Sequence, residues 1–467
     1  MEDSVLNNRT FDEMEVGESA SLTRLVGRDD IDLFAAVSGD VNPAHLDTTF
    51  AATDLFGHVV AHGMWTAALV SAVLGTKLPG PGTIYLGQDL KFLKPVAPGD
   101  TITVTVRVKE KRPEKRIVIL ETICANQSGK EVVAGTATVI APANKIEWPR
   151  SPLPTVRLRR KDRYEAFVKM ARSLSPLRAA IVHPCSPEAL LGAVEVQREG
   201  LLDPLLIGPE DKIRAAAEQA QVSLKDLPIE PASNSHAAAK LAVELAVAGK
   251  VSVLVKGSLH TDELLGAVVA PDSKLRTERR ISHVYGMDLP AYPKPLFITD
   301  AAINIAPSLE QKRDICQNAI DLFHAMGAPE PLVAVLAAVE VVNPKMPATL
   351  DAAALTVMAA RGQITGAKVD GPLAFDNAIS SDAARIKGIS SPVAGNADVL
   401  LVPDLESGNM LAKQLIYFAD AIAAGLVLGA RVPIVLTSRA DPLTARIASA
   451  ALAKLAAAPR PLKGLLS

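Results

Sequence analysis

Between residues 144 and 162 the chain changes the pattern in which it places apolar residues, and that break limits its possible folds more than any other feature. On the near side, after Pro79-Gly80-Pro81-Gly82, the segments 83–92, 101–109, 116–125 and 131–140 are rich in Val, Ile and Thr. Turns at Pro98-Gly99-Asp100, at 111–115 and at Gln127-Ser128-Gly129 separate them, which predicts consecutive hairpins and an antiparallel sheet. On the far side, short apolar runs at 179–183, 204–207, 251–255, 296–299, 332–337, 399–402 and 433–436 alternate with helical stretches. That alternation requires a parallel sheet with helices on its faces. The break itself carries Trp148-Pro149, Pro152 and Pro154, then a basic run over 157–163, and reads as a linker. The expected organisation is an α+β domain over 1–143, a linker over 144–162, and an α/β region over 163–467 divided into two subdomains with a cleft.

Residues 61–75 are apolar on nearly every side, and a helix of that kind must be surrounded by protein. The hairpins are the material available, so the prediction for the first domain is a sheet curled around a central helix. The apolar run 421–430 is about half what a membrane span needs. It stops at Asp420 and Arg431 and reads as a core helix.

A formal charge of -2 on 467 residues leaves no basic face for nucleic acid and no polyanionic tail, and no membrane partner is expected. The acidic start lacks an apolar signal core, and Cys124, Cys185 and Cys316 show no metal or CxxC spacing, which suits a reducing cytoplasm. His58 and His62 stand four apart, yet no carboxylate sits beside them, and no metal is expected. Met64-Trp65 reads as core.

Chemistry concentrates first at Asp40-Val41-Asn42-Pro43-Ala44-His45. Asn42-Pro43 breaks regular structure, so the carboxylate of Asp40 and the imidazole of His45 can point from one loop into one cleft and share a water. The same residues also fit an Asx turn leading into a capped helix.

Three stretches in order resemble the R-specific enoyl-CoA hydratases of the MaoC-like group: 38–47, then Val60-Ala61-His62-Gly63-Met64, then 84–92. The resemblance spans roughly 11–141 and implies the hotdog fold, a sheet wrapped around a helix. It implies that Asp40 and His45 jointly hold a water that adds across the double bond of a 2-enoyl-CoA to give the 3R alcohol. Gly63 would open the buried helix and offer its N–H to the thioester oxygen, without a Cβ in the way. Asn42, which belongs to the matched turn, and Ser71, which matches a serine of the family near the site, are the expected substrate-binding residues of this domain.

In the second half, residues 335–352, Asp370-Gly371-Pro372 with its continuation to Ala378, and 397–409 resemble the phosphate acetyltransferase and phosphate butyryltransferase family. Residues 256–262 and 298–304 add to the match, which covers 163–467. The implied reaction is acyl-CoA plus phosphate giving acyl phosphate plus CoA, with no cofactor beyond these substrates. Ser407, Gly408 and Asn409 open a helix after an apolar strand and could present N–H groups to phosphate. Lys256 follows another strand and could meet the anion. The family carries a Ser-Arg pair after the last strand, here Ser438 and Arg439, which would bind the departing thiolate and the anion. The phosphate acetyltransferase pattern has an acid seven residues past the serine, where this chain has Ala445. Asp441 either substitutes for it or caps the following helix, and the cap is the favoured reading.

The resulting expectation is a bifunctional, homo-oligomeric enzyme acting on acyl-CoA and phosphate. Two alternatives stand beside it: a C-terminal half that only binds acyl-CoA as a regulatory or oligomerising module, and a hotdog half that is a thioesterase.

Overall fold

The computed structural model describes residues 5–152, 156, 162–328, 330–437 and 441–457. The chain divides into two compact units, 1–158 and 159–467.

In the first unit β1 (Val5–Asn7) is followed by β2 (Ser19–Leu25), β3 (Ile84–Phe92), β4 (Thr101–Arg112), β5 (Ile117–Ala125), β6 (Glu131–Ile140) and β7 (Glu147–Pro149). Four helices lie between β2 and β3: α1 (Arg28–Ser38), α2 (Pro43–Leu46), α3 (Thr48–Ala51) and α4 (Gly63–Thr76). Strands β2, β4, β5, β6 and β3 form, in that order, one antiparallel sheet. Alternate residues of β4 (Ile102, Val104, Val106 and Val108) are buried against Trp65, Leu69, Val70 and Val73 of α4. This is the two-residue period of a half-buried strand meeting a helix face. β1 and β7 pair separately, with Leu6 opposite Trp148. Part of the expected linker is therefore a strand.

The central helix departs from expectation on one side. Met64, Ala68, Ser71 and Gly75 are exposed, a stripe at helical spacing, and the edge strand β3 exposes Ile84 and Leu86. The single curved sheet covers only the other side of α4 within this chain.

The second unit holds β8 (Leu177–Val182), β9 (Leu202–Gly208), β10 (Ile229–Pro231), β11 (Val253–Lys256), β12 (Ser282–Asp288) and β13 (Leu296–Thr299). It continues with β14 (Leu332–Leu336), β15 (Lys368–Leu373), β16 (Val399–Leu401), β17 (Ile422–Leu428) and β18 (Ile434–Val435). They form one sheet in the order β10-β9-β8-β11-β18-β17-β12-β13-β16-β14-β15. The first five run parallel, as do the last four. β17 and β12 join the two blocks through antiparallel pairings. The two expected subdomains are thus two parallel blocks of one mixed sheet, and β18 meets β17 at a single register pair, Ile434 with Val427.

The run 421–430 forms strand β17, not the expected core helix. Ala424 to Val427 are buried on both faces in mid-sheet, so the run shows no alternation, and a short apolar run without alternation does not distinguish strand from helix. Among the described residues no helix is long and apolar enough to cross a membrane.

Candidate functional site

In the first unit α1 ends at Gly39, whose φ of 76° turns the chain out of the helix. The Asp40 N–H donates to Ser38 Oγ at 3.2 Å, and Asp40 Oδ1 accepts from the Asn42 N–H at 3.2 Å. Asn42 Oδ1 in turn accepts from the Ala44 N–H at 3.1 Å and caps α2, with Pro43 in its first turn. The Asx turn and the site are therefore one structure. The Asn42 side-chain oxygen, expected to meet substrate, is committed to the cap.

His45 projects from α2 with Nδ1 2.7 Å from the carbonyl oxygen of Val60. A carbonyl can only accept, so Nδ1 is the donor in this bond and Nε2 takes no part in it. Asp40 and His45 line a cavity of about 690 Å³ together with His62, Gly63, Phe92 and Lys94. One ligating atom from each of Asp40, His45 and His62 lies within 4.8 Å of the others, a span that one water can bridge.

Gly63 is the first residue of α4, so its N–H has no helical acceptor and sits at the positive end of the helix. A Cβ there would come within 2.8 Å of Cε1 of Phe92, so the ring takes the space a side chain would need. Ser71 lies on the exposed stripe of α4 and does not line the cavity. Of the pair read as core, Trp65 is buried while Met64 is exposed at the cavity. His58 and His62 share no helix, because α4 starts only at Gly63.

Sequence reasoning assigned no role to His62. It is 2% exposed, its Nε2 lies 3.0 Å from the carbonyl oxygen of Asp40, and its ring stacks on His45 with centroids 3.9 Å apart. Phe34 backs it at 5.0 Å. Its Nδ1 is buried without a hydrogen-bond partner among the described residues.

In the second unit Ser438 and Arg439 lie outside the described residues. Thr437, just before them, accepts from Arg446 Nη1 at 3.2 Å and shares a small cavity with Lys256 and Arg446. Lys256 ends β11 and donates to the carbonyl of Leu259 at 3.2 Å. Gly257 has no room for a side chain, since a Cβ would stand 2.5 Å from the Val182 carbonyl oxygen. Arg446 was not foreseen. It is one helix turn into Leu443–Ala456, and burial holds its guanidinium below the usual value despite Asp441 and Glu188.

Asp441 is not the helix cap it was expected to be. Pro442 holds the N-cap position and makes no side-chain cap bond. The Asp441 carbonyl instead accepts from Arg446 Nε at 3.4 Å. Burial, helped by the Asp441 charge, pushes the Tyr285 phenol up to about 12.

Ser407, Gly408 and Asn409 also act differently from the phosphate cradle expected of them. Asp404 caps the helix Leu405–Phe418 and takes the Ser407 N–H at 2.8 Å and the Ser407 hydroxyl at 2.8 Å. The Gly408 N–H goes to the Asp404 carbonyl at 3.1 Å, and Asn409 Nδ2 donates to the Ala301 carbonyl at 3.1 Å. A Cβ on Gly408 would meet the Asp300 carbonyl oxygen at 2.7 Å. These residues dock the helix onto the turn after β13. There Asp300 accepts from the N–H groups of Ala302, Ile303 and His283 and from Asn304 Nδ2.

A family model described as MaoC like domain matches residues 10–126, and one described as Phosphate acetyl/butaryl transferase matches 233–454. A phosphate acetyltransferase of Rhizobium meliloti is 54% identical over 316 residues, covering 68% of this chain and 97% of that relative. A branched-chain phosphotransacylase of Enterococcus faecalis is similar in structure, with a TM-score of 0.54 at 31% identity over 60% of this chain and 99% of its own. The unliganded R-hydratase of Pseudomonas aeruginosa is 47% identical over 33% of this chain and 99% of its own, with a TM-score of 0.32. The first unit has the antiparallel sheet and central helix of the MaoC hotdog, and the second the large mixed sheet of the phosphotransacylases. The chain belongs to the phosphate acetyl/butyryl transferase family and carries a MaoC-like domain ahead of its transferase domain.

Proposed function

We propose that the chain is a bifunctional acyl-CoA enzyme whose first domain hydrates a 2-enoyl-CoA to the (3R)-3-hydroxyacyl-CoA and whose second exchanges CoA for phosphate. The observation that carries the hydratase reading is the shared cavity, where Asp40, His45 and the N–H end of α4 at Gly63 converge. A water between Asp40 and His45 adds its oxygen to C3 and gives up a proton to this pair. The double bond then takes a proton at C2, so atoms balance and the pair is restored. Acid/base groups of this kind contribute roughly 10² to 10⁴ in rate. The Gly63 N–H stabilises the thioester oxygen as charge builds on it, an effect worth about 3 kcal/mol.

Transfer to phosphate is supported by the 54% identity that extends over nearly all of the Rhizobium meliloti phosphate acetyltransferase. In this reading Ser438 and Arg439 bind thiolate and anion, with Lys256 and Arg446 adding positive charge beside Thr437. Domain limits of 1–143 and 163–467, a cytoplasmic location and self-association complete the proposal. The exposed stripe of α4, with Met64 on it, and the exposed Ile84 and Leu86 of the edge strand β3 favour self-association.

The test uses the full chain with a short 2-enoyl-CoA, followed by loss of the enoyl absorbance, and with acetyl- and butyryl-CoA, followed by phosphate-dependent thiol release. Asp40→Asn should remove only the first activity and Ser438→Ala only the second. Thiol release from a saturated thioester without phosphate would instead indicate a thioesterase. If no thioester released thiol, the second domain would be a binding module.

A further inference from the structure

We infer that His62 is a positioning residue of the hydration site, holding Asp40 and His45 in the one arrangement that lets both reach a single water. The inference rests on the hydratase reading and names how its geometry is kept.

The three groups of the proposed reaction come from three separate places: Asp40 from the turn after α1, His45 from α2, and the Gly63 N–H from α4. His62 touches all three. It lies 3.0 Å from the Asp40 carbonyl oxygen through Nε2, stacks at 3.9 Å on the His45 ring with the planes 38° apart, and is the peptide neighbour of Gly63.

The chemistry of the contact sets which nitrogen donates. The Asp40 carbonyl can only accept, so Nε2 of His62 is the donor, while the buried Nδ1 has no hydrogen-bond partner among the described residues. The nitrogen that faces Asp40 is thereby fixed, and the face of the ring is left to pack on His45. Phe34 also packs against the His62 ring, with centroids 5.0 Å apart.

Asp40 needs such support because its other hydrogen bonds are local. Its N–H meets Ser38 and its carboxylate meets the Asn42 N–H, both within two residues. The bond from His62 joins this exposed turn to a helix whose far side is buried in the core. His45 is fixed at one edge by Val60, and the His62 ring blocks rotation of its face. Charged or titratable side chains around His62 in the cavity are Asp40, His45 and Lys94. A histidine that merely filled the core would need neither the directed bond nor the stacked partner.

The experiment measures kcat and KM for hydration of crotonyl-CoA by the full chain, as wild type, His62→Phe and His62→Gln. His62→Phe keeps a ring and loses the N–H. His62→Gln keeps an N–H and loses the ring. A displacement of about 1 Å in an active site can cost about 10²-fold. The expected result is therefore a drop in kcat of about tenfold to a hundredfold for His62→Phe, with KM within about twofold of wild type and a smaller drop for His62→Gln. Wild-type kcat in both folded variants, or a rise in KM alone, would overturn the proposal. If a variant melts early, ¹⁵N spectra of histidine-labelled wild type decide. A proton on Nε2 of His62 is expected, and an Nε2 without a proton overturns the proposal. Absence of hydration by wild type overturns the hydratase reading itself, and wild type is the control in every arm.

Discussion

Gly63 and Phe92 occupy one space: the position a Cβ would take on Gly63 is 2.8 Å from Cε1 of the Phe92 ring. Phe92 ends the edge strand β3 and is 54% exposed, so its ring can move aside. Gly63→Ala should therefore fold, with the ring displaced into the cavity and the N–H of residue 63 shielded from substrate. Hydration is expected to fall by about 10²-fold. Phosphate-dependent thiol release should be unchanged in the same preparation, and equal loss of both activities would speak against a local effect.

Asp40→Asn separates turn geometry from chemistry. Asparagine keeps an oxygen that can accept from the Asn42 N–H, now bonded to Oδ1 at 3.2 Å, so the turn survives. What is lost is the charge that takes a proton from water. Hydration should drop by roughly 10² to 10⁴, with the melting temperature within a few degrees of wild type. Retained hydration would remove Asp40 from the reaction.

The site in the first domain was legible because its parts are close in sequence: Asp40, His45 and Gly63 fall within one turn–helix–loop–helix passage. Ring stacking between His45 and His62 was not legible, because it depends on how the loop before α4 folds back. In the second domain Ser407, Gly408 and Asn409 look like an anion cradle when read alone. Asp404 takes the N–H groups of Ser407 and Gly408, while Asn409 and the face of Gly408 meet Ala301 and Asp300, in a turn about a hundred residues earlier, and only the fold shows that the glycine serves close packing. Strand β12 escaped notice because Ser282, His283 and Tyr285 give it no apolar alternation. Arg446 was missed because an arginine in an alanine-rich helix reads as a solvated residue until the helix is placed against Thr437.

Gly408→Ala tests that packing. The added methyl would meet the Asp300 carbonyl oxygen at 2.7 Å and Val402 Cγ2 at 2.7 Å, and the first of these is backbone that cannot swing away. Overpacking of this kind costs about 1 to 3 kcal/mol. Urea denaturation should show the loss in the transition of the second domain, and an unchanged midpoint would refute the packing role.

Burial holds the His283 imidazole below its ordinary value, to about 4, against the opposing pull of Asp300. In the unfolded chain the ring takes a proton near pH 6.5. Between these values the unfolded state holds the extra proton, so the stabilising contribution is complete above about pH 6.5 and is lost as the pH falls towards 4. The slope for this group reaches about 1.4 kcal/mol per pH unit. His283→Gln, which does not titrate, should flatten the fall in stability across that window. Parallel curves for variant and wild type would place the titration elsewhere.

The pairing of β1 with β7 brings residues 5–7 beside residues 147–149. The chain thus enters and leaves the first domain at one doorway. A domain whose two ends lie side by side in this way leaves almost no gap to bridge, so it could be set into a surface loop of another protein without prising that protein apart.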